Sequence, residues 1–276
     1  MTSEIDIEAF IEFEMAGFSR VAGQYHRYLS DITDSVAEAL LDAAGVGGAS
    51  RVLDVATGPG QVAARAVARG AIVLGVDLSP VMVELARQVH PGIEFRQGDA
   101  HQLPVGDESF DAVVANFLVP HLADHDRAVR ELARATVVGG RIALSTWDVP
   151  QRSPMPGALF LAIQDADAPM APGLPAGPPF FRYSDDAAFA QLLTDAGLVD
   201  AQVIDVAFIH RMPSADAFWD AMMEGSVRAS AQVLGQTREV QRRIRDAFDE
   251  RVAEFDDGTG LELPVSVKIA SARKPG

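Results

Sequence analysis

The chain has 276 residues, 48% hydrophobic and 22% charged, with 23 glycines, 16 prolines and no cysteine, a make-up that excludes disordered and fibrous architectures and leaves no disulfide, thiolate metal site or cysteine nucleophile. The formal net charge of −16 opposes attraction to nucleic-acid phosphates or anionic lipid, so a small-molecule partner is expected, with no nucleic acid and no membrane. No apolar run reaches the roughly 18 residues of a bilayer span, and the acidic start Met1-Thr2-Ser3-Glu4-Ile5-Asp6 lacks the basic region of a secretion signal, which predicts a cytoplasmic protein.

The first 44 residues read as helical, because Ile7, Phe10, Ile11, Phe18 and Val21 recur at near-helical spacing and Ser35 with Glu38 matches a capping box before Ala39-Leu40. At Arg51 the pattern changes to the apolar run Val52-Leu53-Asp54-Val55, which breaks at Thr57-Gly58-Pro59-Gly60 and resumes helically through Val62, Ala63, Ala66 and Val67. The same strand, turn and helix sequence repeats with Ile72 to Asp77, where Ser79 followed by Pro80 is a helix N-cap with proline at the first helical position. Further strands are expected at Ile93 to Arg96, Phe110 to Phe117, and Arg141 to Trp147 after a turn at Gly139-Gly140.

Eight of the 16 prolines fall between Pro150 and Pro179, where no regular structure is expected. Helical spacing returns at Phe189, Leu192 and Leu193 and ends at Gly197; a strand follows through Val203, Ile204, Val206 and Phe208, then a helical stretch over about 214–255, then the short run Val265 to Ala270, read as an edge strand. Alternating strands and helices imply an α/β fold: a doubly wound, Rossmann-like, mostly parallel seven-stranded sheet with helices on both faces, N-terminal helices and a helical and lid insertion. One domain fills the chain, divided into a helical cap (1–48), an alternating strand-and-helix core (49–148), the proline-rich segment (149–184) and a C-terminal part (185–276).

Asp54 to Ala63 forms a glycine turn between a strand and a helix, where backbone approaches a ligand and the helix N-terminus offers unpaired N–H groups. Gly58-x-Gly60-x-x-Ala63 also fits the loosened dinucleotide fingerprint, so an NAD-dependent oxidoreductase stays open at this point. Asp77, ending the second strand, is placed to accept both hydroxyls of a ribose, and Asp99 in Gly98-Asp99-Ala100 is placed to read an adenine amino group at the same sheet edge.

Val52 to Gly60, Gly75-Val76-Asp77-Leu78-Ser79, Gly98-Asp99-Ala100, Phe110 to Val114 and Val138-Gly139-Gly140-Arg141-Ile142 occur in the order that resembles the class I S-adenosylmethionine-dependent methyltransferases. The resemblance covers about Phe18 to Gly197 and extends to the last strand. Ala56, where many members have glycine, and the segment Phe18 to Ala22 with Tyr25 resemble the ubiquinone/menaquinone-type and related natural-product C-methyltransferases. The resemblance implies S-adenosyl-L-methionine as cofactor and S-adenosyl-L-homocysteine as product, with 49–148 as a cofactor-binding core and 149–184 as a substrate lid. It implies Asp54, Ala56, Gly58 and Gly60 along the methionine part, Asp77 on the ribose, Asp99 and Ala100 on the adenine, and Leu78 and Met82 against the adenine faces. Asn116 would lie by the amino-acid end or the transferred methyl, with Arg20 or Tyr25 closing over it.

Transfer of a methyl group needs mainly positioning and exclusion of water, and a base helps where the acceptor is a neutral hydroxyl. His121, just after the fourth strand, is the candidate base. His121 and His125 with Asp124 and Asp126 have a spacing that puts two ligands on one helical face, but no third and fourth ligand is evident and no metal is expected. Phe160 and Phe181 of the proline-rich segment, with Trp147, Phe218 and Trp219, are the expected walls of a substrate pocket. The expected activity is methyl transfer to a small apolar or aromatic acceptor at carbon or oxygen, part of secondary metabolism. The alternative on the same fold is a non-methylating enzyme or binding protein, and a homodimer is left open.

Overall fold

The computed structural model describes residues 5–276, so the first four residues of the acidic start lie outside the described residues. Two helices, α1 (Ile7–Tyr28) and α2 (Ser30–Ala43), precede β1 (Arg51–Val55), α3 (Gln61–Ala68), β2 (Ile72–Asp77), α4 (Pro80–Val89), β3 (Glu94–Gln97) and β4 (Phe110–Ala115). Then come α5 (His125–Ala135), β5 (Thr136–Trp147), α6 (Pro154–Asp165), α7 (Asp186–Asp195), β6 (Val199–Met212), α8 (Ala215–Gly225), α9 (Arg228–Leu234), α10 (Arg238–Val252) and β7 (Leu261–Arg273).

The seven strands form one sheet in the order β3-β2-β1-β4-β5-β7-β6. The first five run parallel and β7 is antiparallel to both its neighbours, β5 and β6. Alternate strand residues feed two cores. Val52, Val114, Ala143 and Ile269 pack with α2, α3, α6, α8 and α10 on one face, whereas Leu53, Val113, Ile142 and Ala270 pack with α5 and α7 on the other. The order reverses between β1 and β4, which opens a crevice at the carboxyl ends of the strands, the place where sheets of this kind bind ligands.

Four sequence expectations need correction. Ser35 does not cap a helix: α2 begins at Ser30, and the Ser35 hydroxyl donates to the Asp31 carbonyl from mid-helix. The stretch from Pro150 to Pro179 is not all irregular, because Pro154 and Pro156 occupy the first turn of α6, where proline is tolerated for want of a donor requirement. Gly139 and Gly140 lie inside β5, which starts at Thr136 and pairs with β4 across a register shift. Finally, β7 is not the edge strand. It is buried along nearly its whole length between β5 and β6, while β6, with alternating exposure, is the edge.

Candidate functional site

The turn after β1 is built on three left-handed residues: Ala56 (φ 56°), Gly58 (φ 53°) and Gly60 (φ 93°). Glycine takes this conformation freely and alanine at a cost of about 1 kcal/mol or more. A Cβ on Gly60 would stand 2.9 Å from both His90 and Phe95, whereas at Gly58 it would meet nothing within 4 Å, so the peptide there is open to a ligand. Asp54, 1% exposed, braces the turn by accepting from the Thr57 hydroxyl at 2.6 Å and from the Ala63 N–H at 3.1 Å, both on Oδ2. Its Oδ1 is buried without a hydrogen-bond partner among the described residues, and burial pushes its pKa up to about 7.

Asp77 at the end of β2 accepts the Gly58 N–H on Oδ2 and the Ser79 N–H on Oδ1, both at 2.9 Å, which leaves each oxygen one further lone pair. Burial raises it to about 6 against these two bonds and the field of His121. Ser79 caps α4 as expected, and its hydroxyl lies 2.9 Å from that of Ser19, which pins α1 over the sheet edge. Asp99 is fixed by His101: Oδ1 accepts the His101 N–H at 2.9 Å and lies 2.7 Å from the ring Nδ1. The Asp124 N–H donates to His101 Nε2 at 3.3 Å, so the ring proton sits on Nδ1 and points at Asp99. Burial alone would raise Asp99; these bonds outweigh it and hold the carboxyl below its ordinary range.

Two narrow cavities follow this edge and meet at Ala56. One is lined by Leu78, Asp99, Ala100, His121 and, from α1, Ile11 and Glu14; the other by Tyr25, Thr33, Asp54, Gly58, Gln61 and Asn116. Asn116 is a strut: its Nδ2 donates to the Thr33 carbonyl at 2.9 Å and its Oδ1 accepts from Ser145 Oγ at 2.6 Å. Burial of the Tyr25 hydroxyl lifts that phenol to about 12, against a hydrogen bond with Thr33. Met82 is buried beneath α4 and Arg20 is exposed on α1; neither lines these cavities.

A third cavity of about 470 Å³ opens beside them and shares His121 with the first and Tyr25 with the second. Phe18, Phe117, Trp147, Phe160, Phe180 and Phe181 supply its aromatic wall, and Met170, Leu174 and Pro178 close it from the irregular segment after α6. That segment is held by α9 and the residues after it: Gln232 Oε1 accepts the Ala171 N–H at 2.8 Å, and Gln232 Nε2 and Gln236 Nε2 donate to the Pro169 carbonyl at 2.7 and 2.6 Å. Trp147, Phe160 and Phe181 therefore lie where the sequence suggested, but Phe218 and Trp219 do not. Both pack on Phe248 of α10, with ring centroids 5.0 and 5.3 Å away, while Met222, one turn after Phe218, reaches the cavity instead.

His121 ends a short 3₁₀ turn (Val119–His121) and meets Phe18 edge-on at 4.9 Å. Its Nδ1 lies 3.0 Å from Oε2 of Glu14, a residue 2% exposed on the buried face of α1. Sequence reasoning missed Glu14, although an acid four residues after Phe10 and four before Phe18 in the helix's apolar stripe is a readable signal. His121 and His125 do not share a helical face: His125 opens α5, its Nε2 is 3.0 Å from the Val119 carbonyl, and burial lowers it to about 4.

A methyltransferase-domain family model matches residues 53–144. A demethylmenaquinone methyltransferase of Streptomyces griseus is 31% identical over 157 residues, covering 54% of this chain and 68% of that protein. Its counterpart in Chlorobaculum parvum is 33% identical over 168 residues, covering 57% and 69%. Among solved structures, the YcgJ protein of Bacillus subtilis superposes with a TM-score of 0.59 at 20% identity, over 88% of this chain and 99% of that one. A phosphoethanolamine N-methyltransferase of Haemonchus contortus, solved with S-adenosylhomocysteine, superposes with a TM-score of 0.53 at 17% identity, over 88% and 53%. The structural likenesses establish the shared fold. The oxidoreductase alternative allowed by Gly58-x-Gly60-x-x-Ala63 falls away, since the methyltransferase model matches residues 53–144, from within β1 to within β5 and through the glycine turn itself. The curated relatives carry the conclusion further: this chain belongs to the class I S-adenosylmethionine-dependent methyltransferases, enzymes that use S-adenosyl-L-methionine as cofactor.

Proposed function

We propose that the protein methylates a small, largely apolar aromatic acceptor at carbon or oxygen, and that His121 serves as the base when the acceptor atom is a hydroxyl. The observation that carries this reading is the 470 Å³ apolar cavity, walled by six aromatic rings, which adjoins the crevice at the strand ends through His121 and Tyr25. A quinone-type ring is a fitting acceptor, in line with the relatives named demethylmenaquinone methyltransferase.

The residues at the crevice fit the cofactor. The partnerless Oδ1 of Asp54 suits a cationic amino group, the open peptide at Gly58 suits a close-lying chain, and the spare lone pairs of Asp77 suit ribose hydroxyls. Asp99 and Ala100, with Leu78 against the ring, are the proposed adenine contacts. Asn116 acts through its strut, holding the end of β4 against α2 and β5, and Tyr25 covers the junction of the cavities. When bound, the cofactor supplies an electrophilic methyl on a sulfonium. The chain's own part is to align the acceptor, exclude water with aromatic walls and receive a hydroxyl proton at His121 Nε2, which has no hydrogen-bond partner among the described residues.

The test is transfer of an isotopically labelled methyl from the cofactor to a panel of phenols, quinols and enolisable ketones, with the methylated atom located by NMR. Labelled aromatic products, and a His121→Ala variant that still binds S-adenosylhomocysteine but is about a hundredfold slower on hydroxyl acceptors at saturating cofactor, are expected. Transfer confined to polar amines, or an unaffected His121→Ala rate on hydroxyls, would contradict the reading.

A further inference from the structure

Glu14 lies between the narrow crevice and His121. It lines the narrow cavity that also contains Leu78, Asp99 and Ala100, and its Oε2 lies 3.0 Å from Nδ1 of His121, which faces the large apolar cavity. Its other oxygen, Oε1, is buried with no hydrogen-bond partner among the described residues. Arg228, the cation that feels the charge of Glu14, does not supply one in this arrangement: its Nη2 donates to the Pro175 carbonyl at 2.9 Å, its guanidinium lies over the rings of Phe10 and Phe13 at 4.9 and 5.7 Å, and its Nη1 is likewise buried without a hydrogen-bond partner among the described residues. A carboxylate oxygen held dry and unpaired is costly, and a fold that keeps one has a donor to offer it in its working state.

We propose that Glu14 is a positioning residue for both halves of the site. Through Oε2 it accepts the Nδ1–H of His121, which fixes the tautomer that presents the Nε2 lone pair to the acceptor. Through Oε1 it accepts a hydroxyl or amino hydrogen of the bound cofactor. One carboxylate thus orders the base when the cofactor is in place, and the pair suits an acceptor with a neutral hydroxyl on an apolar body. The inference rests on the reading above, that the cofactor occupies the narrow crevice and the acceptor the large cavity.

Glutamine tests it because it has nearly the same shape but supplies one acceptor oxygen where glutamate supplies two. The readouts are calorimetric affinity of the full chain for S-adenosylhomocysteine and the ¹⁵N shifts of His121, assigned among the six histidines by a His121→Gln control. In the wild type, binding and an Nδ1–H tautomer are expected. In Glu14→Gln, one arm is lost: either affinity falls about tenfold or more, some 1.4 kcal/mol, or the His121 proton moves to Nε2. Glu14→Leu is expected to lose both. A Glu14→Gln protein that matches the wild type in both readouts overturns the proposal, as does a wild-type His121 protonated at Nε2 alone. A wild type that does not bind S-adenosylhomocysteine overturns the cofactor reading beneath it, a result separate from either variant's behaviour.

Discussion

Asp77 accepts the backbone N–H of Gly58 at 2.9 Å and so fastens the turn after β1 to the end of β2, two elements whose sequence separation is 19 residues. The same carboxylate also accepts from Ser79, and with Asp54 it makes two buried acids at the strand ends, the charge of Asp77 adding to the burial that raises Asp54. These are groups kept at the expense of stability, as expected where a site is built for a ligand rather than for folding.

Their titration gives a prediction with a definite sign. Burial raises Asp54 to about 7 and Asp77 to about 6, above the ordinary carboxylate value, so the folded state binds protons more tightly than the unfolded chain. Their contribution to stability is then greatest below about pH 4 and declines as pH rises through the window up to about 7, by about 4 kcal/mol for Asp54. Thermal melts of the ligand-free protein and of Asp54→Asn from pH 4 to 8 are expected to lie closest near pH 4 and to separate progressively as pH rises, with the variant the more stable above pH 7. Parallel melting curves across that range would show that Asp54 does not titrate in this window.

The sequence made much of this edge readable because its turns depend on residue chemistry that is local. The Gly58 and Gly60 turn, the Ser79-Pro80 helix start and the acids ending β2 and following β3 are each set by neighbours within a few positions. Contacts made by tertiary folding were not readable in the same way. Glu14 and His121 are 107 residues apart, and nothing at either position names the other. Phe218 and Trp219 look in sequence like any aromatic pair near a pocket, and only the placement of α10 decides that they face Phe248. The strand β7 read as an edge because its run is short and last, while its burial comes from β6 folding back on its far side.

The distinction between wall and core is measurable. Phe160→Ala and Phe181→Ala remove rings that line the apolar cavity and touch each other at 4.9 Å; each is expected to raise the acceptor KM several-fold while leaving affinity for S-adenosylhomocysteine unchanged. Phe218→Ala empties a site with 0% exposure and is expected to cost about 3–5 kcal/mol of stability in denaturant titrations, with little change in KM for the folded fraction. The reverse pattern, a stable Phe218→Ala with a raised KM, would return Phe218 to the pocket.

The segment after α6 hangs on few polar contacts. Gln232 holds it at Ala171 and Pro169, so Gln232→Ala removes two hydrogen bonds together, worth about 1–3 kcal/mol locally. Limited proteolysis between residues 166 and 181 is expected to accelerate severalfold in the variant, with a raised acceptor KM and intact cofactor affinity. Cleavage at the wild-type rate would mean that the aromatic packing of Phe160, Phe180 and Phe181 holds the segment by itself.

The central claim is that the crevice at the carboxyl ends of β1, β2 and β3 holds S-adenosylmethionine with Asp77 on its ribose. Calorimetry of the wild type and Asp77→Asn with S-adenosylhomocysteine and NAD tests it most directly. The account predicts micromolar binding of S-adenosylhomocysteine, at least tenfold weaker in Asp77→Asn, and no heat from NAD. Equal affinity of the two proteins for S-adenosylhomocysteine, or binding of NAD in its place, would contradict it.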